Sequence, residues 1–141
     1  MSSSRRHSSS RILFRRSAKR SRIGCGVDVV ELQRLRLAVK RGGAAFLRRV
    51  FTEREVAYAK ARKRTTFQHL AGRFAAKEAV IKAMAQIAPD RVLAMNQIEI
   101  CNDQLGRPSV RLHDAHRKRV SIHVSLSHVD SVSVASAIVI A

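Results

Sequence analysis

One short stretch, Arg-Phe-Ala-Ala-Lys-Glu-Ala-Val-Ile-Lys-Ala at residues 73–83, concentrates side chains that could do chemistry. Its composition favours a helix, on which residues four apart share a face. Glu78 and Lys82 form one such pair, and Arg73 and Lys77 form another beside it. A single acid among three cations suits a metal ligand surrounded by phosphate-binding groups, but a solvated helix face would have the same pattern.

Two other segments could complete a site with this helix. Asp28 lies among apolar residues of a strand-like segment, where an unpaired charge is costly and needs a metal, a cation or a hydrogen-bond network. Taken alone, Asp28 is better explained as an N-cap of the following helix, and Glu78 as half of an exposed Glu–Lys pair. Ser-Leu-Ser-His at residues 125–128 lacks the arrangement of a serine nucleophile, and His128 alone could be a capping or packed histidine.

Composition limits the class of protein. The 141 residues fit one domain, and 45% hydrophobic residues supply a core that is poor in aromatic side chains. No apolar run approaches the roughly 18 residues that span a membrane, so no membrane association is expected. Cys25 and Cys101 lie far apart without metal-ligand spacing. We interpret them as free, buried thiols in a reducing compartment, with a disulfide between them as the alternative.

The chain is strongly basic, with a net charge of +18. Residues 1–21 are rich in Ser and Arg, contain seven of the 28 cations and no acid, and are predicted to be a disordered tail. An organelle transit peptide and a start codon placed too far upstream remain alternatives. Because residues 22–141 are basic as well, an anionic partner is expected: a nucleic acid, a polyphosphate ligand or an acidic protein.

Periodicity and turn signals predict one α+β domain over residues 22–141. An N-terminal strand at residues 23–30 precedes a helix at 31–40, which Gly42 and Gly43 stop. Thr52 and Glu55 form a capping box that starts another helix, which is predicted to run to about Lys63. The other predicted elements are a short helix at 44–50, a long helix at 66–86, strands at 97–101 and 109–112 around a turn, and a closing antiparallel pair at 121–127 and 131–141.

Five ordered motifs resemble those of the holo-acyl-carrier-protein synthases, the small bacterial type of 4′-phosphopantetheinyl transferase. They are Gly-Val-Asp-Val-Val-Glu at 26–31, Phe-Thr-Glu-Arg-Glu at 51–55, the helix at 73–82, Asn-Asp-Gln-Leu-Gly-Arg-Pro at 102–108 and Ser-Leu-Ser-His at 125–128. The resemblance covers residues 22–141. It implies the 4′-phosphopantetheinyl transferase fold, in which an N-terminal strand and helices are followed by an antiparallel sheet packed on a long helix.

The resemblance also implies roles for individual residues. Asp28 and Glu78 match the family's Mg²⁺ ligands. Glu78 and Lys82 match its catalytic residues, with Glu78 as the candidate general base and Lys82 facing the diphosphate of coenzyme A (CoA). The positions expected to contact CoA are Arg73, Lys77, Lys82, Arg107 and His128. Basic residues on the first helix, here Arg34 and Arg36, are expected to dock the carrier protein.

The implied reaction is Mg²⁺-dependent transfer of 4′-phosphopantetheine from CoA to a serine of acidic apo-acyl carrier protein, with release of 3′,5′-ADP. The resemblance further implies fatty acid biosynthesis, a cytoplasmic location and a homotrimer with active sites between subunits. Residues 84–90 depart from the family pattern, which has a Gly-containing loop there. The rivals are a basic nucleic-acid-binding protein and a catalytically silent CoA-binding relative. Sparse aromatic residues count against the first, so no nucleic acid is expected as a partner, and intact Asp28, Glu78 and Lys82 count against the second.

Overall fold

A computed structural model describes residues 21–113 and 120–141. The tail predicted at residues 1–21 lies outside this range except for its last residue. In the described part of the chain, five strands and three α-helices follow in the order β1 (Ile23–Glu31), α1 (Leu32–Val50), α2 (Glu53–Lys60), α3 (Thr66–Ile87), β2 (Ile98–Asn102), β3 (Pro108–Leu112), β4 (Ser121–His128) and β5 (Val132–Ile140). Within the described residues no helix is both long enough and apolar enough to cross a membrane.

The strands form two antiparallel sheets. The larger sheet has the order β1-β5-β4, so the first strand of the chain pairs with the last one, and Asp28 lies opposite Ala135. The smaller sheet is the β2–β3 hairpin, closed by a turn in which Gly106 has a positive φ of 79°. The predicted α+β class and the closing antiparallel pair are confirmed.

The long helix α3 packs across one face of the larger sheet and supplies much of the core. Its small side chains are enclosed almost completely, which brings the helix axis close to the strands. Strand β5 contributes alternate residues to the same interface, since every second side chain of a strand points to one face. The buried residues of this interface include Ala75, Ala76, Ala79, Val80, Ala83, Met84, Ala135, Ala137 and Val139.

Two glycines of β1 allow the closest approach between strand and helix. A Cβ added at Gly24 would collide with the backbone carbonyl of Ala83, and one added at Gly26 with that of Ala79. Gly24, Gly26 and Asp28 alternate along the strand and therefore point to the same face, toward α3. The glycines thus bring the strand that carries Asp28 against the helix that carries Glu78 and Lys82.

The predicted stop at Gly42 and Gly43 is a break within α1. Gly43 adopts a φ of 53° and a ψ of −143°, a conformation that side chains with a Cβ rarely adopt, and helix continues on both sides. The capping box is present, because the Thr52 hydroxyl accepts from the Glu55 amide and the Glu55 carboxylate accepts from the Thr52 amide. Helix α2 ends at Lys60, three residues earlier than predicted, and a 3₁₀ turn precedes α3.

Both cysteines are free, but the predicted burial is wrong. Cys25 is exposed on the outer face of β1, and Cys101 is half-buried at the end of β2. Cys25 alternates with the inward-facing Gly24 and Gly26, so the strand period places its thiol on the opposite face.

We predict that Gly26→Ala lowers the free energy of unfolding by about 2–3 kcal/mol, because the added methyl group meets backbone atoms of α3 that cannot turn aside. Urea denaturation followed by circular dichroism measures the change. Gly72→Ala is the matched control within α3. Its added Cβ meets only the tip of the Leu126 side chain, at 3.2 Å, so the change should stay within about 1 kcal/mol. Equal stability of the two variants would contradict the close-approach argument.

Candidate active site

Asp28 and Glu78 line the same pocket, which has a volume of about 310 Å³. Asp28 comes from the inward face of β1 and Glu78 from the side of α3 that borders the start of α1. Both side chains are half-buried, so their carboxylate oxygens are only partly solvated and can still contact a ligand. Two carboxylates in one pocket are the donor set that Mg²⁺ takes together with substrate phosphates and water.

Lys82 joins this pair through Asp28. Its ammonium donates to Asp28 Oδ1 at 2.8 Å and to the carbonyl oxygen of Val27 at 2.9 Å. The Lys82 side chain is 51% exposed, whereas that of Asp28 is 18% exposed. A cation therefore already stands beside the carboxylate, on a side chain that is exposed enough to move to an incoming anion.

The pocket also has an apolar wall that the sequence did not reveal. Phe46 and Phe74 face it from α1 and α3, together with Leu35 and Ala38. Phe74 belongs to the motif at residues 73–83, which was singled out for its charged side chains. No sequence signal identified Phe46, because its position depends on the break at Gly43.

The two arginines predicted to dock a protein lie differently on α1. Arg34 lines the pocket with Asp28 and Glu78. Arg36 is exposed, and its guanidinium carbon lies 5.0 Å from the ring centroid of Phe67, in a cation–π contact. Both positive charges are therefore at the surface, but only Arg34 borders the pocket.

Lys77 points away from this pocket. Its side chain is fully buried, and its ammonium donates to Glu55 Oε2 at 2.6 Å, to the Val50 carbonyl oxygen at 2.6 Å and to the Met95 carbonyl oxygen at 3.1 Å. An ammonium has three N–H donors, and all three are in use. This geometry contradicts the predicted contact between Lys77 and a CoA phosphate.

Arg73 lines a second, smaller pocket of about 160 Å³, together with Tyr58 and Asn102. Its Nη2 donates to Asn102 Oδ1 at 2.9 Å, and its guanidinium carbon lies 4.0 Å from the Tyr58 ring centroid. Its Nε is buried without a hydrogen-bond partner among the described residues. Glu99 lies on the same wall, and although burial acts to raise its pKa, hydrogen bonds from Cys101, Thr52 and His113 keep the pKa below its ordinary value.

The β2–β3 turn carries Arg107 at the surface. Its Nε donates to Asp103 Oδ2 at 2.7 Å, and its backbone amide donates to Asp103 Oδ1 at 2.9 Å. These hydrogen bonds hold the pKa of Asp103 below its ordinary value. The exposed guanidinium retains donors for a ligand, so the predicted nucleotide contact of Arg107 stays a prediction.

His128 ends β4 and lies close enough to His69 of α3 to influence it electrostatically. His69 packs edge-on against Tyr58, with ring centroids 5.4 Å apart. Burial lowers the pKa of His69, and the nearby Arg73, Arg62 and His128 lower it further. His69 is therefore neutral at neutral pH, and protonation would add charge to a site that is already positive.

We predict that acidification destabilises the protein in part through His69. Because its folded pKa lies below the ordinary value of 6.5, the unfolded chain binds the proton first, so the contribution of His69 lowers stability as the pH drops below about 6.5 and does not vary with pH above that range. His69→Gln should flatten the decline in urea midpoint below about pH 6.5, whereas His123→Gln, at an exposed position of β4, should keep the wild-type slope. Identical slopes for all three proteins would refute the role of His69.

Comparison with known proteins agrees with this geometry. Residues 24–139 match the family model of the 4′-phosphopantetheinyl transferase superfamily. A holo-[acyl-carrier-protein] synthase of Ruminiclostridium cellulolyticum is 39% identical over 120 residues, which cover 81% of this chain and 89% of the relative. One of Chlorobaculum parvum is 42% identical over 115 residues, covering 81% of this chain and 95% of the relative.

Solved structures of holo-acyl-carrier-protein synthases are also similar to this chain. The ACPS–CoA complex of Chronobacterium ammoniagenes has a TM-score of 0.72 at 29% identity, and the match covers 84% of this chain and 96% of that one. A holo-(acyl-carrier-protein) synthase of Bacillus anthracis, in complex with CoA (3′,5′-ADP), has a TM-score of 0.69 at 32% identity over the same shares. With the paired carboxylates and the lysine on one strand–helix contact, these matches show that the chain belongs to the holo-acyl-carrier-protein synthases of the 4′-phosphopantetheinyl transferase superfamily.

Proposed function

We propose that this protein transfers 4′-phosphopantetheine from CoA to a serine of apo-acyl carrier protein, with Mg²⁺, in fatty acid biosynthesis. The observation that carries the proposal is the pocket shared by Asp28 and Glu78, with the Lys82 ammonium on Asp28. Similar proteins solved with CoA support CoA as the donor. We place the reaction in the cytoplasm, where free thiols such as Cys25 and Cys101 stay reduced.

The side chains of the pocket fit a Mg²⁺ ion. Asp28 and Glu78 supply two carboxylates, and the described residues contain no group of three or more His, Cys, Asp or Glu side chains that would hold a metal by themselves. Mg²⁺ prefers one or two carboxylates and fills its other positions with substrate phosphates and water. When bound, the ion would neutralise charge on the pyrophosphate of CoA.

In the proposed reaction, the carrier serine oxygen attacks the β-phosphorus of CoA, and the bond from that phosphorus to the bridging oxygen of 3′,5′-ADP breaks. The Glu78 carboxylate accepts the serine proton. Lys82 moves its ammonium from Asp28 to the diphosphate and stabilises the charge on the leaving 3′,5′-ADP. The exposure of the Lys82 side chain supports this movement.

We assign the nucleotide end of CoA to Arg73, Arg107 and His128. Arg73 brings a buried Nε without a partner among the described residues, and Arg107 and His128 are exposed. Arg34 at the pocket edge and the exposed Arg36, two residues farther along α1, would meet acidic side chains of the carrier protein. Opposite charges there would accelerate the encounter and orient the serine toward Glu78.

We further propose a homotrimer, supported by the outer face of the larger sheet. Helix α3 covers the inner face, while the outer face presents apolar side chains that are between 36% and 67% exposed: Ile23, Val27, Val29, Val134 and Ile138. A contiguous apolar surface of this kind marks an interaction site. A neighbouring copy would cover it and supply part of the CoA pocket.

We predict that purified protein with CoA and Mg²⁺ adds the phosphopantetheine mass to apo-acyl carrier protein, as measured by mass spectrometry, and that EDTA abolishes the gain. Glu78→Gln should lower kcat/KM by about 100-fold or more without changing the urea midpoint, because it removes a proton acceptor and a charge but no core contact. Glu53→Gln, exposed on α2, is the matched control and should keep the wild-type rate.

A wild-type rate in Glu78→Gln would remove Glu78 from the mechanism. If the folded protein adds no mass to a competent apo-carrier but still binds CoA in titration calorimetry, the protein is a silent CoA-binding relative. Retention of RNA without CoA binding would instead favour the nucleic-acid-binding alternative.

For the assembly, we predict a sedimentation mass three times the 15.7 kDa of the chain. The double variant Val27→Lys/Val29→Lys should sediment as a monomer, because two charges on the sheet face cannot be desolvated by a neighbour. Val92→Lys is the control, since Val92 is 92% exposed and lies outside the sheet. An active, monomeric wild type would contradict the trimer.

A further inference from the structure

The buried ion pair of Lys77 and Glu55 joins parts of the chain that are distant in sequence. Lys77 lies on α3, and its three hydrogen bonds reach the last residue of α1, the first turn of α2 and the 3₁₀ turn that precedes β2. The ammonium also lies 5.2 Å from the ring centroid of Phe51. All three N–H donors therefore have fixed acceptors, which defines the position of the side chain.

The carboxylate of Glu55 is equally constrained. Its Oε2 accepts from the Thr52 amide at 2.8 Å as well as from Lys77, and its Oε1 accepts from the Ile100 amide at 2.9 Å. Glu55 thus completes the capping box of α2 and ties that helix to β2. Only 2% of Glu55 is exposed, so each contact is made in a poorly solvated environment where hydrogen bonds are strong.

This pair is connected to the proposed active site through the second half of α1. Val50, whose carbonyl oxygen accepts from Lys77, lies one helical turn after Phe46, which lines the pocket of Asp28 and Glu78. The break at Gly43 separates this half of the helix from the first half, so the first half alone cannot fix its direction. Contacts with α2 and α3 must therefore fix the direction of the second half of α1.

We infer that Lys77 and Glu55 are positioning residues that hold the second half of α1 against α3, and thereby set the spacing between Phe46 and the wall formed by Phe74 and Glu78. The inference rests on the proposed function for its effect on turnover, but its structural part does not. It assigns a new role to Lys77, whose neighbour in sequence, Glu78, lies in the pocket.

A buried ion pair is poorly explained by stability alone. Each charge that is removed from water carries a large desolvation penalty, and well-packed apolar residues often stabilise a fold as well or better. A charged pair offers directional hydrogen bonds that an apolar pair lacks. Here those bonds set the α1–α3 spacing at a site where misplacement by about 1 Å can lower the rate by 100-fold.

The absence of tryptophan from the chain provides a clean reporter. In a Phe46→Trp host, acrylamide quenching of the single tryptophan measures how well the second half of α1 is held against α3. Adding Lys77→Met should raise the quenching constant roughly twofold while far-UV circular dichroism is unchanged. In the chain that keeps Phe46, Lys77→Met should lower kcat by roughly tenfold to 100-fold and change KM for CoA by less than about twofold.

Lys60→Met, exposed on α2, is the matched control and should alter neither quenching nor kcat. If Lys77→Met does not fold, Glu55→Gln retains the Lys77 hydrogen bonds to the two carbonyl groups and should give smaller changes in the same direction. Two results would overturn the inference. One is a folded Lys77→Met or Glu55→Gln variant of the Phe46→Trp host whose quenching constant equals that of the host. The other is a greater quenching constant in that host together with a wild-type kcat for the same substitution in the chain that keeps Phe46. An inactive wild type would count against the proposed function alone, because the quenching measurement needs no substrate.

Discussion

The close contact between β1 and α3 is the constraint on which the rest of the structure depends. Gly24 and Gly26 remove the two side chains that would separate the strand from the helix backbone, at Ala83 and Ala79. Two residues farther along the same face, Asp28 lies within reach of Lys82. Any side chain at the glycine positions would push the strand outward and increase the distance between the carboxylate of Asp28 and the charged side of α3.

Charged residues that are neighbours in the sequence of α3 lie in different environments. Glu78 faces a pocket at the surface, whereas Lys77, about 100° around the helix axis, is fully buried. Arg73 lies one turn before Lys77 on the buried side and is 5% exposed. From the sequence, the four charged residues of this short helix were predicted to surround one ligand. The structure separates them because α3 is enclosed on most of its circumference, so cations on its inner side need protein partners.

Features that follow from local rules could be predicted from the sequence. The capping box at Thr52 and the strands of the closing pair depend on neighbours in the chain, and the structure has them at the expected places. Three features depend on contacts between distant segments and were not predicted: the pairing of β1 with β5, the entry of Phe46 into the pocket, and the acceptors of Lys77 at Val50 and Met95. A sequence pattern shows that a lysine is present, but the fold decides whether its ammonium meets solvent or a buried carboxylate.

The chain has a net charge of +18, and the ligands that the pocket can bind depend on which acidic side chains already have ion-pair partners. Several carboxylates form ion pairs with cations of the chain: Glu55 pairs with Lys77, and Asp103 pairs with Arg107. Among the described residues, no lysine, arginine or histidine side chain forms an ion pair with Glu78, although it shares a pocket with Asp28 and Arg34. A half-buried carboxylate without its own counter-ion attracts a cation from solution, while the surrounding positive field attracts anions. The pocket is therefore suited to bind a divalent cation and a polyphosphate together, since each neutralises charge that the other would leave uncompensated.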